Sequence, residues 1–376
     1  MARNGEDRRM LDVQGMARSA ILNTREYIPG KPIEAVKREY GIDRAIKLAS
    51  NENPLGTSPL AIEAMIREIR ENSHLYPESL CPELIAKLSA RFNLPAGSFY
   101  VDNGADAVIT MMGLTFLNPG DEVVFPELSF PAYDNIGAKM GAKRVRIPMR
   151  PDFTIDTEAM ARAVTPRTKL VFLCNPNNPT GLMTAKKEFE AFMARIPETA
   201  LVVSDEAYCE FADQGDYPDT LEYLKAHKNL IILRSFSKIM GLAGLRIGYA
   251  MAAPELVRVM MKAREPFPVN RIAQAGALAA LDDHEFIEKT KRLNREGLLY
   301  FYEAFGAMGL TCYRSSANFV MVDVGRDADL VFGELLKKGI IVRPLKGQGV
   351  ETGLRITVGL MEKNRMLIQA LKDILF

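Results

Sequence analysis

One stretch of this sequence, Arg234–Tyr249, gathers residue types that can hold a phosphate group and present a reactive amine. Phosphate oxygens can accept hydrogen bonds from the hydroxyls of Ser235 and Ser237 and from the guanidinium of Arg246. Lys238 lies among these groups. A lysine in a partly desolvated pocket beside another cation loses part of its proton affinity, and its amine can then form a Schiff base with a carbonyl. The stretch therefore favours chemistry that needs both an amine and a phosphate clamp.

The surroundings of this stretch are typical of a binding loop at the end of a buried strand. The apolar run Leu230–Leu233 predicts the strand, and Gly241 and Gly244 let the backbone turn close to a ligand. Pyridoxal phosphate requires an amine together with a phosphate clamp, so we predict this cofactor. The alternative is a surface loop with an ordinary lysine, because short motifs recur by accident.

The charge balance of the chain excludes several classes of function. Of its 376 residues, 48 are Lys or Arg and 47 are Asp or Glu, which gives a formal net charge of +1. This balance argues against nucleic acid or a membrane surface as a partner, so local clusters must hold any anionic ligand. The length allows two domains, or one large domain with an appendage. Hydrophobic residues make up 48% of the chain, which predicts a globular protein with a sizeable core.

The cysteines and the N-terminal segment indicate a cytoplasmic protein. Cys81, Cys174, Cys209 and Cys312 lack C-x-x-C spacing, so we expect free thiols in a reducing compartment. The histidines also lack ligand spacing, and we predict no metal site. Residues 1–10 are charged and have no apolar core, unlike a signal peptide. The sequence contains no uninterrupted apolar stretch long enough to span a bilayer.

A pattern of strand, polar residue and helix recurs from residue 100 onward. Five candidate residues fall at or just after the ends of predicted strands, and they are Gly104, Phe130, Asn178, Asp205 and Lys238. In parallel α/β sheets, ligands bind at the carboxyl ends of the strands. We therefore expect these residues to meet at one edge of a sheet.

The remaining segments read as helices and as a second, smaller unit. Residues 59–72, 82–92 and 254–300 have helical periodicity, and strands are predicted near 319–322, 340–343 and 354–358. A polar loop, Ala49–Gly56, is interpreted as a turn or as the lip of a binding site. Residues 1–25 are interpreted as a mobile arm or a docked first helix.

Several of these strand-end residues fit particular parts of pyridoxal phosphate. Asp205 is placed to pair with the ring nitrogen, although an N-cap aspartate would have a similar context. Asn178 and Tyr208 can donate hydrogen bonds to the C3 oxygen. Phe130 can stack on the ring, or it can simply fill the core.

The predicted site also includes groups that hold the phosphate of the cofactor and a group that transfers a proton. The helix N-terminus at Ala105 and Asp106 presents free backbone N–H groups to the phosphate, in addition to the Ser and Arg groups described above. The freed amine of Lys238 can carry the proton between the substrate Cα and C4′ of the cofactor. That transfer is the central step of transamination.

Three motifs in order carry a resemblance to a known family. They are Ser-Phe-Ser-Lys at 235–238 with its glycine-rich continuation, Asn-Asn-Pro-Thr-Gly at 177–181 and Asp-Glu-Ala-Tyr at 205–208. The chain resembles the fold-type I pyridoxal-phosphate enzymes of aminotransferase class I and II. This resemblance implies an α/β fold, with a mostly parallel central sheet covered by helices on both faces and a smaller α+β domain.

The resemblance also implies a division of the chain into domains. We expect an N-terminal arm at 1–25, a small domain formed by 26–55 and 285–376, and a large cofactor-binding domain at 56–284. Narrower matches at 27–32, 47–56, 76–77, 342–344 and 354–359 resemble the branch that moves an amino group between L-histidinol phosphate and 2-oxoglutarate.

Relatives share these narrower motifs, so alternatives stay open. They are an aromatic aminotransferase, an enzyme like threonine-phosphate decarboxylase, an amino-acid oxidase and, more remotely, a non-catalytic regulator that binds the cofactor. The sequence does not show which bond at the substrate Cα is broken.

The resemblance implies further roles in substrate binding and assembly. Tyr76 would reach the phosphate of the cofactor in a partner subunit, which makes the functional unit a homodimer with shared active sites. Arg355 matches the arginine that binds the substrate anion, and Arg343 a second arginine that helps to hold the substrate phosphate. Tyr27 matches a position on the segment that closes over the substrate. The chain departs from the family pattern at Ala107, where a carboxylate is usual.

Overall fold

The central feature of the fold is a seven-stranded sheet whose central strands consist mostly of apolar residues. The computed structural model describes residues 11–22, 24, 30–213 and 215–376. In chain order its strands are β1 Ile46–Lys47, β2 Phe99–Asp102, β3 Glu122–Pro126, β4 Lys143–Ile147, β5 Thr168–Cys174, β6 Leu201–Asp205, β7 Leu230–Ser235, β8 Gly248–Ala252, β9 Thr311–Cys312, β10 Phe319–Asp323, β11 Ile340–Ile341, β12 Arg343–Pro344 and β13 Gly353–Thr357.

The large sheet has the strand order β2-β8-β7-β6-β5-β3-β4. Strand β8 runs antiparallel to both of its neighbours, and the other neighbouring pairs are parallel. Strands β2 to β7 consequently all point the same way, and their carboxyl ends share one edge. The central strands are buried on both faces, which is why they read as continuous apolar runs rather than as alternating ones.

Helices alternate with these strands and then continue into the C-terminal part of the chain. They are α1 Val13–Met16, α2 Ser19–Leu22, α3 Ile33–Tyr40, α4 Pro59–Asn72, α5 Pro82–Phe92, α6 Ala105–Phe116, α7 Ala132–Met140, α8 Thr157–Arg162, α9 Lys186–Met193, α10 Thr220–Ala226, α11 Pro254–Ala263, α12 Arg271–Ala280, α13 His284–Ala307, α14 Ala328–Lys337 and α15 Met361–Leu375.

The helices cover both faces of the large sheet. Alternate residues of each strand enter different cores, as Leu170 and Phe172 pack on one face while Val171 and Leu173 pack on the other. Helices α6, α7 and α11 contribute to the first of these cores. Helices α5, α8, α9, α10 and α12 contribute to the second. The result is the three-layer α/β arrangement that the sequence predicts.

A second sheet with its own apolar core lies in the C-terminal part. Its order is β12-β13-β10-β9, and all of its neighbouring pairs are antiparallel. The short strand β1 pairs in parallel with β11, which joins residues near 46 to this part of the chain. Leu48 packs in the same core as residues of α13, α14 and α15.

The structure differs from the expectations in two places. Strand β8 was not predicted, because its glycine and alanine residues read as part of the preceding binding motif. Residues 254–300 do not form one helical region, because the chain breaks between α11 and α12 at Phe267, whose φ is 53°.

The described part of the N-terminal segment contacts the large sheet's helices. The Arg18 side chain donates to the Lys139 carbonyl of α7 at 3.2 Å. Tyr27 lies outside the described residues.

Candidate active site

The predicted residues lie along one edge of the large sheet. Asp205 is the last residue of β6, while Asn178 and Lys238 lie in the loops that follow β5 and β7. Gly104 and Phe130 follow β2 and β3. Because these strands point the same way, their ends deliver a carboxylate, an amide and an amine to one region, as expected for an α/β sheet.

Lys238 points its amine toward the N-terminal polar loop. The Nζ atom donates to the Ser50 carbonyl at 3.3 Å and lies 5.7 Å from the ring centroid of Tyr208. Burial, together with repulsion of the ammonium form by the guanidinium groups of Arg355 and Arg246, lowers the pKa of Lys238 to about 8. A neutral amine is therefore much more abundant here near neutral pH than on a surface lysine.

This lowered pKa predicts the pH profile of Lys238 labelling in the protein without cofactor. Reductive methylation with formaldehyde should rise through about pH 8 at Lys238, because only the neutral amine reacts. Exposed lysines should rise through about pH 10.4. Peptide mass spectrometry gives both profiles in one sample. Coincident profiles for Lys238 and the exposed lysines would contradict a desolvated amine.

The loop that follows β7 and carries Lys238, here called the lysine loop, packs against residues 49–57. Asn53 Nδ2 donates to the Ile239 carbonyl at 2.9 Å, and Thr57 Oγ1 donates to the Gly241 carbonyl at 2.9 Å. Gly241 has a φ of 70°, and a Cβ there would lie 1.9 Å from the Gly56 carbonyl oxygen. Only glycine fits this close approach. The polar loop, which contains a turn, therefore packs directly against the loop that carries Lys238.

A concave backbone segment opens helix α6 beside Arg246. Gly104 has a φ of 84°, and a Cβ there would lie 2.7 Å from Arg246 Nη2. A Cβ on Gly248 would lie 2.7 Å from the Ala105 backbone nitrogen. Arg246 Nη2 also donates to Asp106 Oδ2 at 3.2 Å. The first N–H groups of a twelve-residue helix and a guanidinium therefore converge, an arrangement suited to an anion.

Two serines stand at the end of β7, on the strand that leads into the lysine loop. Ser235 and Ser237 are both buried, and the Ser237 backbone N–H donates to Ser235 Oγ at 3.1 Å. Their hydroxyl hydrogens can be donated to an anion in the same region. Together with the helix N-terminus and Arg246, they fit a phosphate group.

Asp205 is a buried carboxylate with a hydrogen bond to each oxygen. Oδ2 accepts from the Tyr133 hydroxyl at 2.6 Å, and Oδ1 accepts from the Ala207 backbone N–H at 3.1 Å. Burial raises the pKa of Asp205 to about 6, and these two donors oppose that rise. The carboxylate is therefore ionised at neutral pH and fits a cationic partner, such as a protonated ring nitrogen.

Tyr208 and Asn178 are each held by a neighbouring side chain. Asn51 Nδ2 donates to the Tyr208 hydroxyl at 3.0 Å, and Arg355 Nη1 donates to Asn178 Oδ1 at 2.6 Å. Burial raises the pKa of the Tyr208 phenol, so the hydroxyl keeps its proton and can donate it in a hydrogen bond. Both side chains can therefore donate to an oxygen placed between them and Lys238.

Arg343 and Arg355 lie directly opposite each other on neighbouring strands of the second sheet. They are register partners in the antiparallel pair β12–β13, so both side chains project from the same face. Like charges at opposed positions are destabilising unless an anion lies near them. Within the described residues, Arg343 forms no salt bridge. The pair fits an anionic group of a ligand.

Other predicted residues have different surroundings. The Tyr76 ring is on the surface, with its residue 80% exposed, and it stacks on Phe267 with ring centroids 4.8 Å apart. None of the described contacts joins Tyr76 to the Lys238 region within one chain. Phe130 is half-buried and meets the edge of Tyr133, with centroids 5.8 Å apart.

Sequence reasoning missed three groups at this site. Ser50 and Asn51 contact Lys238 and Tyr208, and their signal was the unusual density of polar residues at 49–56. Tyr133 contacts Asp205, and its signal was a tyrosine one helical turn after Phe130. In the parts of the chain that the structure describes, no cluster of three or more His, Cys, Asp or Glu side chains could hold a metal ion. No helix there has both the length and the apolar character needed to cross a membrane.

The chain belongs to the family Aminotransferase class I and II, which it matches over residues 43–371. Its fold is the fold-type I arrangement of that family.

Individual relatives narrow this classification. The chain is 45% identical to histidinol-phosphate aminotransferase of Moorella thermoacetica, covering 95% of this chain and 92% of the relative. It is 45% identical to the enzyme of the same name from Bacillus subtilis, covering 93% of this chain and 97% of the relative. A solved structure of histidinol-phosphate aminotransferase from Sinorhizobium meliloti, in complex with pyridoxal-5'-phosphate, is similar with a TM-score of 0.86 and 28% identity. That match covers 95% of this chain and 96% of the other.

Proposed function

We propose that this aminotransferase moves the amino group of L-histidinol phosphate to 2-oxoglutarate, with pyridoxal phosphate as its cofactor. The observation that carries the substrate assignment is the Arg343–Arg355 pair, which projects two guanidinium groups from one face of the second sheet. A phosphate monoester accepts hydrogen bonds from both, whereas a carboxylate needs only one bidentate arginine. The two relatives at 45% identity support the same substrate.

The residues of the sheet edge fit the cofactor part by part. The N-terminus of α6 at Ala105 and Asp106, with Ser235, Ser237 and Arg246, would hold its phosphate. Asp205 would hold the ring nitrogen, and Asn178 and Tyr208 the C3 oxygen. Phe130 would cover one ring face. Bound there, the cofactor supplies an electron sink for the substrate Cα.

Lys238 is the group that moves the proton in this proposal. Its lowered pKa, about 8, lets the amine accept a proton from the substrate Cα and return it at C4′. The Ser50 carbonyl accepts a hydrogen bond from this amine and orients it. Tyr208 lies beside the amine, and its phenol keeps its own proton. It can therefore donate a hydrogen bond to the cofactor without taking the proton that Lys238 carries.

Arg355 would bind an anionic group of either substrate, the phosphate of L-histidinol phosphate or a carboxylate of glutamate, and Arg343 would bind the phosphate in particular. Arg343→Ala should lower kcat/KM for L-histidinol phosphate by about 100-fold, because a charged hydrogen bond to the phosphate is lost. The value for glutamate in the reverse direction should fall by less than about fivefold. The exposed Arg365 on α15 provides a control, and Arg365→Ala should leave both values unchanged. Equal losses for both substrates would contradict this division of roles.

We also propose a homodimer in which Tyr76 serves the partner's site. Ile62, Ile66 and Ile69 form one exposed apolar face of α4, just before the Tyr76 loop. The loop itself is held in place, since Arg271 donates to the Tyr76 carbonyl at 3.1 Å. A fixed, exposed aromatic side chain beside an apolar face is suited to an interface with a second copy.

Hybrid dimers test whether Tyr76 acts across the interface. Tyr76→Ala and Lys238→Ala should each impair their own homodimers. A purified hybrid with one substitution per chain should recover about half of the wild-type activity, because one of its two sites is intact. If Tyr76 served its own chain, the hybrid would stay inactive. Two copies of the Tyr76→Ala, Lys238→Ala double variant provide the inactive control.

A substrate panel tests the proposed reaction itself. The purified enzyme with pyridoxal phosphate should form glutamate from 2-oxoglutarate with L-histidinol phosphate, and much more slowly with phenylalanine or threonine phosphate. Preference for phenylalanine would replace the substrate assignment, and release of CO₂ or consumption of O₂ would replace the reaction type. Neither result would change the family.

Four free cysteines, two of them buried, support the further proposal that the protein works in the cytoplasm.

A further inference from the structure

Tyr133 occupies a buried position between two residues that the proposed function assigns to the cofactor. Its side chain is fully buried, and its hydroxyl donates to Asp205 at 2.6 Å. We infer that Tyr133 is a positioning residue, which fixes the orientation of the Asp205 carboxylate and keeps it ionised for the ring nitrogen of the cofactor. This inference rests on the proposed role of Asp205.

The Tyr133 ring cannot turn away from the carboxylate. It stacks on Phe172 of β5 with centroids 4.4 Å apart and an interplanar angle of 9°. It also meets Phe130 edge to face, with centroids 5.8 Å apart and an interplanar angle of 82°. Both contacts are typical of favourable aromatic pairs. The phenol is therefore pre-oriented, and so is the carboxylate oxygen that accepts from it.

The second carboxylate oxygen accepts a backbone hydrogen bond, so the two donors fix the plane of the carboxylate. Oδ1 accepts from the Ala207 N–H at 3.1 Å, while Oδ2 accepts from Tyr133. Each oxygen retains a further lone pair that can accept from the cofactor. A carboxylate held in this way does not need to reorient when the cofactor enters.

The surroundings make a donor at this position electrostatically important. Besides Tyr133 on α7, the ionisable groups that act on Asp205 are Asp106 on α6, Glu206 beside it, Cys174 on β5 and Tyr208. The carboxylates of Asp106 and Glu206 repel the negative charge of an ionised Asp205. Burial raises the pKa of Tyr133 well above its usual range, so the phenol remains a donor at every physiological pH. Removing that donor should raise the pKa of Asp205.

The chain offers a matched comparison in Tyr100. This tyrosine is also fully buried, and its hydroxyl donates to Asp102 Oδ2 at 2.7 Å. Asp102 has no proposed contact with the cofactor. Tyr100→Phe therefore removes a tyrosine–aspartate hydrogen bond of the same chemistry at the end of another strand of the large sheet, and it controls for any general loss of stability.

The experiment measures cofactor affinity against pH in a Lys238→Ala background, which removes the titration of the lysine. Pyridoxal phosphate is titrated into dialysed protein between about pH 5 and pH 8, with binding followed by calorimetry. The affinity of the parent should fall as the pH drops through about 6, where Asp205 gains a proton. Tyr133→Phe should move this midpoint upward by about one pH unit and weaken binding near pH 6 by about tenfold. Tyr100→Phe should reproduce the parent profile.

A double-mutant cycle shows whether Tyr133 acts through Asp205. In an Asp205→Asn background, Tyr133→Phe should cause less than about a twofold change in affinity, because the side chain at 205 no longer ionises. An unchanged pH profile for Tyr133→Phe, or an equal effect in the Asn background, would overturn the inference. Failure of the wild-type protein, with Lys238 in place, to bind the cofactor at any pH would instead overturn the proposed function. Thermal melting of each variant without cofactor confirms that it is folded.

Discussion

Lys238→Ala is expected to abolish amino transfer while the protein still binds pyridoxal phosphate. The amine is the proposed proton carrier between two carbons, and it lies beside Ser50 and Tyr208 in the candidate site. Loss of a group that acts both as nucleophile and as general base should reduce kcat by at least about 10⁴-fold. The cofactor should still bind, because Arg246, the serines of β7 and the N-terminus of α6 do not depend on the lysine.

The measurement pairs steady-state glutamate formation with cofactor binding by calorimetry. Lys225→Ala is the matched control, because Lys225 lies on the surface of α10 in an ion pair with Glu222. Exposed pairs of this kind contribute little, so the control should resemble the wild type. Turnover of Lys238→Ala at a near-normal rate would remove the lysine from the mechanism. Loss of all cofactor binding would show that the phosphate cradle alone does not hold it.

Much of the large sheet could be predicted from the sequence, for a physical reason. Central parallel strands are buried on both faces, so β5, β6 and β7 appear as uninterrupted apolar runs that end abruptly in polar residues. The same abrupt ends mark the residues that the structure brings to one edge. Topology then does the rest, because parallel strands place all their carboxyl ends together.

The missed contacts have a common cause, which is distance along the chain. Asn51 and Tyr208 are 157 residues apart, and Tyr133 and Asp205 are 72 residues apart. Nothing in the local sequence of either partner specifies such a pair. The asparagines at 49–56 showed that the loop was unusual, but only the folded chain shows that it faces Lys238. Periodicity and turn chemistry are local signals, whereas contacts between residues far apart in the sequence depend on tertiary packing.

Strand β8 illustrates a different limit of sequence reasoning. Its sequence, Gly248–Ala252, contains small residues that have little intrinsic preference for strands. Its position is set by its neighbours, since it fills the space between β2 and β7 with an antiparallel strand. Glycine is required at 248 because a Cβ there would lie 2.7 Å from the Ala105 backbone nitrogen. A residue that looked like part of the binding motif thus also shapes the anion cradle.

Asp205→Asn is expected to have the second largest effect, because it removes charge without changing shape. The carboxylate is buried and accepts two hydrogen bonds, and it is the proposed partner of a protonated ring nitrogen. An amide cannot stabilise that proton, so the cofactor would lose much of its capacity to accept electrons from the substrate. Loss of a preorganised electrostatic partner typically costs up to about 10³-fold in rate, and we expect kcat to fall by that amount.

The control for this prediction is Asp134→Asn on α7. Asp134 forms surface ion pairs with Arg144 and Arg146, so its substitution should leave kcat unchanged. Cofactor affinity against pH, measured by calorimetry on protein freed of cofactor, adds a second criterion. In the wild type without cofactor, Asp205 gains a proton as the pH falls through about 6, and the affinity should fall with it. Asp205→Asn should lose this dependence along with its rate. A variant that kept both would show that another group pairs with the cofactor ring, since an asparagine at 205 can neither ionise nor hold the proton.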